Sequence, residues 1–263
     1  MSAETLELVN ACAERVKGAP ILIVLAGSHG HGFNIEGSDQ DRHGVFVAST
    51  TKVLSLAGIG QETHEWKDAL GDVTLHEIGK FLRLCLKGNP TALNVLWFDP
   101  IHSDSTGRML TSLRKKVLWH GTLKPFLGYA RDQLRRLDDG MSVHGKGGKP
   151  SGKWAAHVLR ILWQGLELAE TGDLIVKFNE SQTKTLLDVR SDAFPLDAAR
   201  AMALEFIDHL EEYVDGNEPS PLPKEPDTEY VDDFLRWVRV SWLEMERRIT
   251  IRDLPEIAGV AQR

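Results

Sequence analysis

GSHGHGFNIEGSDQDRHGVFV, residues 27–47, is the stretch on which the reading of this chain turns. The seven residues before it, Pro20–Ala26 (PILIVLA), are aliphatic and β-branched, too short for a helix and bounded by glycines, so they predict a buried central strand. The backbone must then turn. Gly27 permits a positive φ or a close approach, Ser28 sets a hydroxyl beside free amides, and Gly30 and Gly32 keep the turn clear of side chains. Such a turn suits phosphate oxygens.

Ten residues separate Ser28 from Asp39, and Asp39-Gln40-Asp41 then leads into a second strand expected at about 43–48. On an extended backbone, i and i+2 project to one face, so the two carboxylates lie together, about 7 Å apart along the chain. Like charges held on one face repel and require a cation. Hard oxygen donors with open positions suit Mg²⁺ or Mn²⁺, which take their remaining ligands from water and substrate phosphates.

On these residues the chain resembles the nucleotidyltransferase superfamily of the DNA polymerase β type, whose signature is a strand-borne Gly-Ser, a gap of this length and Asp-x-Asp on the next strand. GSHGHGF followed by SDQDRHGV is similar to a bacterial and phage branch of RNA-repair nucleotidyltransferases. Gln40 is a departure, since many superfamily members carry an apolar residue between the acids. The resemblance covers the first hundred residues well and the rest loosely. It implies a third carboxylate from a later strand, best matched by Asp72, with Glu62, Glu65, Asp68 and Glu77 as neighbouring rivals. It also implies a Lys-x-x-x-His-x-x-Arg helix, matched by Lys153, His157 and Arg160; their i, i+4, i+7 spacing places them on one helix face. These three follow the basic loop HGKGGKPSGK with Lys146 and Lys149, and would hold a triphosphate across a cleft. Arg42, next to the acid pair, is a further phosphate candidate.

The implied chemistry is transfer of a nucleoside monophosphate from a nucleoside triphosphate donor to a hydroxyl acceptor, with release of pyrophosphate. Asp39 and Asp41 would hold one Mg²⁺, and Asp72 would share a second or act as general base. Gly27, Ser28 and the basic helix would hold the phosphates. RNA or tRNA is the acceptor that the resemblance favours; a protein or small-molecule acceptor, and a nucleotide-binding regulatory or antitoxin-like protein without turnover, remain open. Which triphosphate is used and the oligomeric state are not legible.

Other motifs are excluded by context. The glycines at 27, 30 and 32 do not match the dinucleotide fingerprint. GGKPSGK (147–153) has the spacing of a Walker A loop, but Trp154 replaces the metal-binding Ser or Thr and no apolar strand precedes it. His29, His31, His43, His64 and His76 form no zinc pattern, and Cys12 and Cys85 stand far apart.

The 263 residues suffice for two lobes, and the net charge of −7 argues against a basic coat for long nucleic acid while allowing a local basic groove. No apolar run of about 18 residues and no disulfide framework is present, so a cytoplasmic protein without membrane contact is expected. The expected fold is α+β. A nucleotidyltransferase lobe (1–100) would carry a small mixed sheet, with helices over 3–17, 78–85 and 91–97 and a further strand within 63–73. A helical lobe (101–263) would carry helices over 106–117, 123–137, 153–171, 182–189, 196–214 and 229–248. GNEPSPLPKEPDTE, with four prolines, predicts an extended or mobile connection at about 216–228. Phe33, Trp154 and Trp163 are available for base stacking or for packing.

Overall fold

The computed structural model describes residues 2–138, 141–142, 145–146 and 152–250. The fold is α+β, with a mixed five-stranded sheet in the N-terminal half and a mainly helical C-terminal half. Helix α1 (Ala3–Val16) leads into β1 (Gly18–Leu25), the one-turn helix α2 (Gly27–His31) and β2 (Arg42–Ala48). After the short α3 (Thr50–Val53), a hairpin of β3 (Thr63–Lys67) and β4 (Asp72–Glu77) runs into α4 (Ile78–Leu86) and α5 (Pro90–Val95). Then comes β5 (Pro100–Ser103), and the sheet order is β3-β4-β2-β1-β5.

Strand direction brings the motif together. β1 and β2 are antiparallel, with Leu25 opposite Arg42, whereas β2 and β4 are parallel, with Arg42 opposite Val73. The end of β1 and the starts of β2 and β4 therefore share one edge, where Gly27–Ser28, Asp39–Asp41 and Asp72 lie. Pairing continues one step past each strand: the Ala26 amide donates to the Asp41 carbonyl (2.8 Å) and the Gln40 amide to the Leu70 carbonyl (2.8 Å).

Alternation along the strands separates two apolar faces. Ile23, Phe46, Val73 and Leu75 pack beneath α1 with Cys12 and Val16, while Leu22, Val24, Val45 and Val47 face the helices. The second set is continuous with the core of the C-terminal half as far as Val238, so both halves share one apolar interior.

That half consists of α6 (Ser105–Ser112), a 3₁₀ turn at Arg114–Val117, α7 (Leu123–Asp138), α8 (Gly152–Thr171), α9 (Glu180–Arg190), α10 (Leu196–Val214) and α11 (Thr228–Thr250). α11 returns to the sheet. Arg239 pairs with the buried Glu77 (2.6 Å), and Glu246 accepts hydrogen bonds from the amides of Thr50 (2.8 Å) and Thr51 (3.1 Å).

Three features go beyond the expected elements. β5 lies where only helix was expected, paired antiparallel to Leu22–Val24 of β1. The strand expected within 63–73 is β3, and a second strand, β4, follows it at Asp72–Glu77. The proline-rich connection forms no helix or strand and is docked: the His120 amide donates to the Pro223 carbonyl (2.8 Å), Ser220 Oγ to the Ala169 carbonyl (2.6 Å), and Leu222 is buried.

Candidate active site

The turn after β1 tightens into α2 because Gly27 takes a φ of +58° and Gly32, at +82°, ends the helix in the left-handed region. No side chain caps the start of α2. Gly27 also permits a close approach: a Cβ there would meet Asp41 Oδ2 at 2.5 Å. At Gly30 a Cβ would meet the Leu25 carbonyl at 2.5 Å and the Phe98 ring at 2.9 Å. His29 Nε2 contacts the Ser38 carbonyl (3.1 Å), tying the two ends of the motif.

Asp41 is half-buried and receives the Asp72 amide on Oδ1 (3.2 Å). Burial raises its pKa; the Asp72 amide opposes that, the carboxylates of Asp72 and Asp39 add to it, and Lys153 counters it. Asp39 is exposed and sits 3.7 Å from Lys67. Among the described residues, no set of three His, Cys, Asp or Glu is gathered closely enough to hold a metal ion.

Beside the acids lies a cavity of about 580 Å³. Gly27, Ser28, Asp39 and Asp41 line it on one side, Lys153, Trp154, His157 and Arg160 on the other. The basic face of α8 turns progressively inward, from exposed Lys153 through His157 to Arg160, which is 6 % exposed. Arg160 has no carboxylate partner among the described residues. Its Nη1 donates to Gln164 Oε1 (2.6 Å) and contacts His31 Nε2 (3.1 Å), and Nη2 contacts His157 Nδ1 (3.2 Å). Burial pulls its pKa down to about 10. His31 and His157 are held well below the usual histidine range, chiefly by burial and then by the Arg160 charge, so both are neutral acceptors for that guanidinium. Among the described residues, the guanidinium is thus a buried cation held only by neutral groups.

Not every residue expected from the sequence reaches the cavity. Arg42 is buried against Asp68 beneath the strand start, and its Nε has no hydrogen-bond partner among the described residues. Asp72 is exposed and touches the site through its amide. The side chains of Lys146 and Lys149 lie outside the described residues. Phe33 and Trp154 line the cavity, whereas Trp163 packs against Phe178 and Phe206.

Sequence reasoning missed several residues. Arg190 lines the cavity from the end of α9, donating to Ser38 Oγ (3.0 Å) and lying over the Phe33 ring. His31, named from the sequence among histidines that form no zinc pattern, bridges the two halves of the chain, its Nδ1 on the Val176 carbonyl (2.9 Å). Asn94, Gln133 and Arg136 also line the cavity, and none lies in a motif.

A model of the RNA repair pathway DNA polymerase beta family, RlaP, matches residues 1–237. The chain belongs to this family. The match runs from α1 into α11, so the RlaP unit contains both walls of the cavity: the sheet edge with the acids and the basic face of α8. RlaP being of the DNA polymerase β type agrees with nucleotidyl transfer as the general chemistry. No curated protein matches the chain. Among the described residues, no helix is long and apolar enough to cross a membrane.

Proposed function

We propose that the protein transfers a nucleoside monophosphate from a nucleoside triphosphate to a hydroxyl on RNA or tRNA, with release of pyrophosphate. The observation that carries this reading is the cavity itself, which opposes the Asp39–Asp41 edge to Lys153 and to the Arg160 guanidinium, which has no carboxylate partner among the described residues. An anionic phosphate chain bearing its own divalent cation is complementary to both walls.

A Mg²⁺ or Mn²⁺ ion fits the acid edge. Asp41 is crowded by Asp72 and Asp39, the donors are hard oxygens, and Gly27 leaves the Asp41 carboxylate uncovered. Asp39 and Asp41 would hold the ion and leave its other positions to phosphate oxygens, as Mg²⁺ prefers. When bound, the ion supplies charge neutralisation at the phosphate under attack. Asp72, whose amide rather than its carboxylate touches the site, would have to swing its side chain inward to serve as a ligand or as the base taking the acceptor hydroxyl's proton. Ser28, Lys153, His157 and Arg160 bind and orient the phosphates, and the neutral histidines keep the guanidinium aimed. Arg190 extends the basic wall.

The test is incubation with each α-labelled triphosphate, Mg²⁺ or Mn²⁺, and separate RNA, protein and small-molecule pools. Label should enter the RNA pool and fail to do so with Asp41→Asn. Label in another pool would reassign the acceptor, and undiminished transfer by Asp41→Asn would sink the metal assignment. Binding of triphosphate with no labelled product in any pool would favour a protein without turnover.

A further inference from the structure

Gln133 on α7 is a polar side chain in the cavity for which phosphate chemistry gives no use. It is 5 % exposed and lines the cavity, and its carboxamide makes no hydrogen bond among the described residues. Asn94, another buried amide on the same cavity, is occupied by Gln164 Nε2 (2.8 Å). Buried amides are normally paired, so one left open towards a cavity points to a partner that arrives with the ligand.

Its neighbours define the class of that ligand. Tyr129, Gln133 and Arg136 follow one another at i, i+4 and i+7, so they share the cavity face of α7. Phe126 approaches Gly165, and the Tyr129 ring meets the His157 ring edge-on at 5.8 Å, so α7 and α8 run antiparallel. Gln133, one turn past Tyr129, therefore lies towards the turn of α8 that carries Trp154, a cavity-lining residue whose indole is half-buried against the core and whose Nε1 has no hydrogen-bond partner among the described residues. A carboxamide offers a donor and an acceptor side by side, which a phosphate cannot use together and a base edge can. An adjacent indole supplies a stacking surface.

We infer that Gln133 and Trp154 form a nucleobase subsite, with the base against the indole and one of its donor–acceptor edges on the carboxamide. The inference rests on the proposed donor site. The base belongs either to the incoming triphosphate or to the end of the acceptor RNA.

The experiment measures equilibrium binding of ATP, GTP, CTP, UTP and inorganic tripolyphosphate with Mg²⁺ and no acceptor, and separately of short RNAs differing only in the terminal base. For the wild-type protein, one triphosphate should bind about tenfold more tightly than the weakest and than tripolyphosphate, the discrimination a paired base edge supplies. Gln133→Leu should collapse that spread, and Gln133→Glu, which keeps acceptors and loses donors, should reorder it. A spread seen and lost only in the RNA arm assigns the subsite to the acceptor. Because Gln133→Leu removes an unpaired amide, its melting temperature should not fall, which separates loss of recognition from loss of fold. Equal binding of all bases in both arms, or a spread untouched by both variants, overturns the subsite while leaving the donor site standing. Failure to bind any triphosphate or tripolyphosphate fells the donor site, and the subsite then stands or falls on the RNA arm.

Discussion

Gly27→Ala tests the geometry of the proposed metal edge at its tightest point. The backbone there has a φ of +58°, where a Cβ costs about 1–2 kcal/mol. The added methyl would also lie 2.5 Å from Asp41 Oδ2, about 1 Å inside normal van der Waals separation. The carboxylate has little freedom to retreat, because its other oxygen receives the Asp72 amide at 3.2 Å. Stability should fall by about 1–2 kcal/mol, or about 2–8 °C in melting temperature. Transfer should fall far more, by about a hundredfold, as expected for a 1 Å displacement of a catalytic group. Gly58→Ala is the control: its φ is +61°, nothing lies within 4 Å of the new Cβ, and it is not part of the cavity. It should show the stability loss without the loss of transfer. Urea unfolding and label transfer on both variants decide the matter. If Gly27→Ala transfers label as fast as Gly58→Ala, the Asp41 carboxylate is not where the chemistry occurs.

Asp41→Asn should stabilise the ligand-free protein by no more than about 1 kcal/mol, given the solvent screening of a half-exposed group; a lower urea midpoint would contradict the inferred repulsion. Lys153→Ala should weaken triphosphate binding, as measured by calorimetry, and an unchanged affinity would remove α8 from the phosphate site. Stability should fall as pH drops below about 6.5: the unfolded chain protonates its histidines there, whereas burial keeps His31, His157, His43 and His76 neutral, the last down to about 4. Each contributes up to about 1.4 kcal/mol per pH unit, so His31→Gln should flatten the slope of urea stability against pH. Glu77→Ala should cost about 3 kcal/mol, since it strands Arg239 and frees α11 from the sheet; a loss below about 1 kcal/mol would show that α11 docks by other means.

The helices were legible where apolar spacing is regular. α7, α8 and α10 fall within a residue of their expected bounds because each buries a stripe against a neighbour. β5 was not legible: Pro-Ile-His-Ser has no alternation, and it becomes a strand only because β1 presents an unpaired edge. Prolines at 219, 221, 223 and 226 indicated a connection without helix or strand, but its docking depends on the His120 amide and the Ala169 carbonyl, supplied from distant parts of the chain.

By itself, the sequence determined the local chemistry: a Gly-Ser turn, two acids in step and a helix with Lys153, His157 and Arg160 on one face. Those follow from backbone periodicity and side-chain type, which need no distant partner. Tertiary structure decided which groups share a cavity. It turned Arg42 away to Asp68, brought in Arg190 and Gln133, and left Arg160 buried among neutral acceptors, with no counter-charge among the described residues. The physical reason is that burial and pairing depend on groups more than a hundred residues away: His31 meets Arg160, and Ser38 meets Arg190, only when the helical half closes over the sheet.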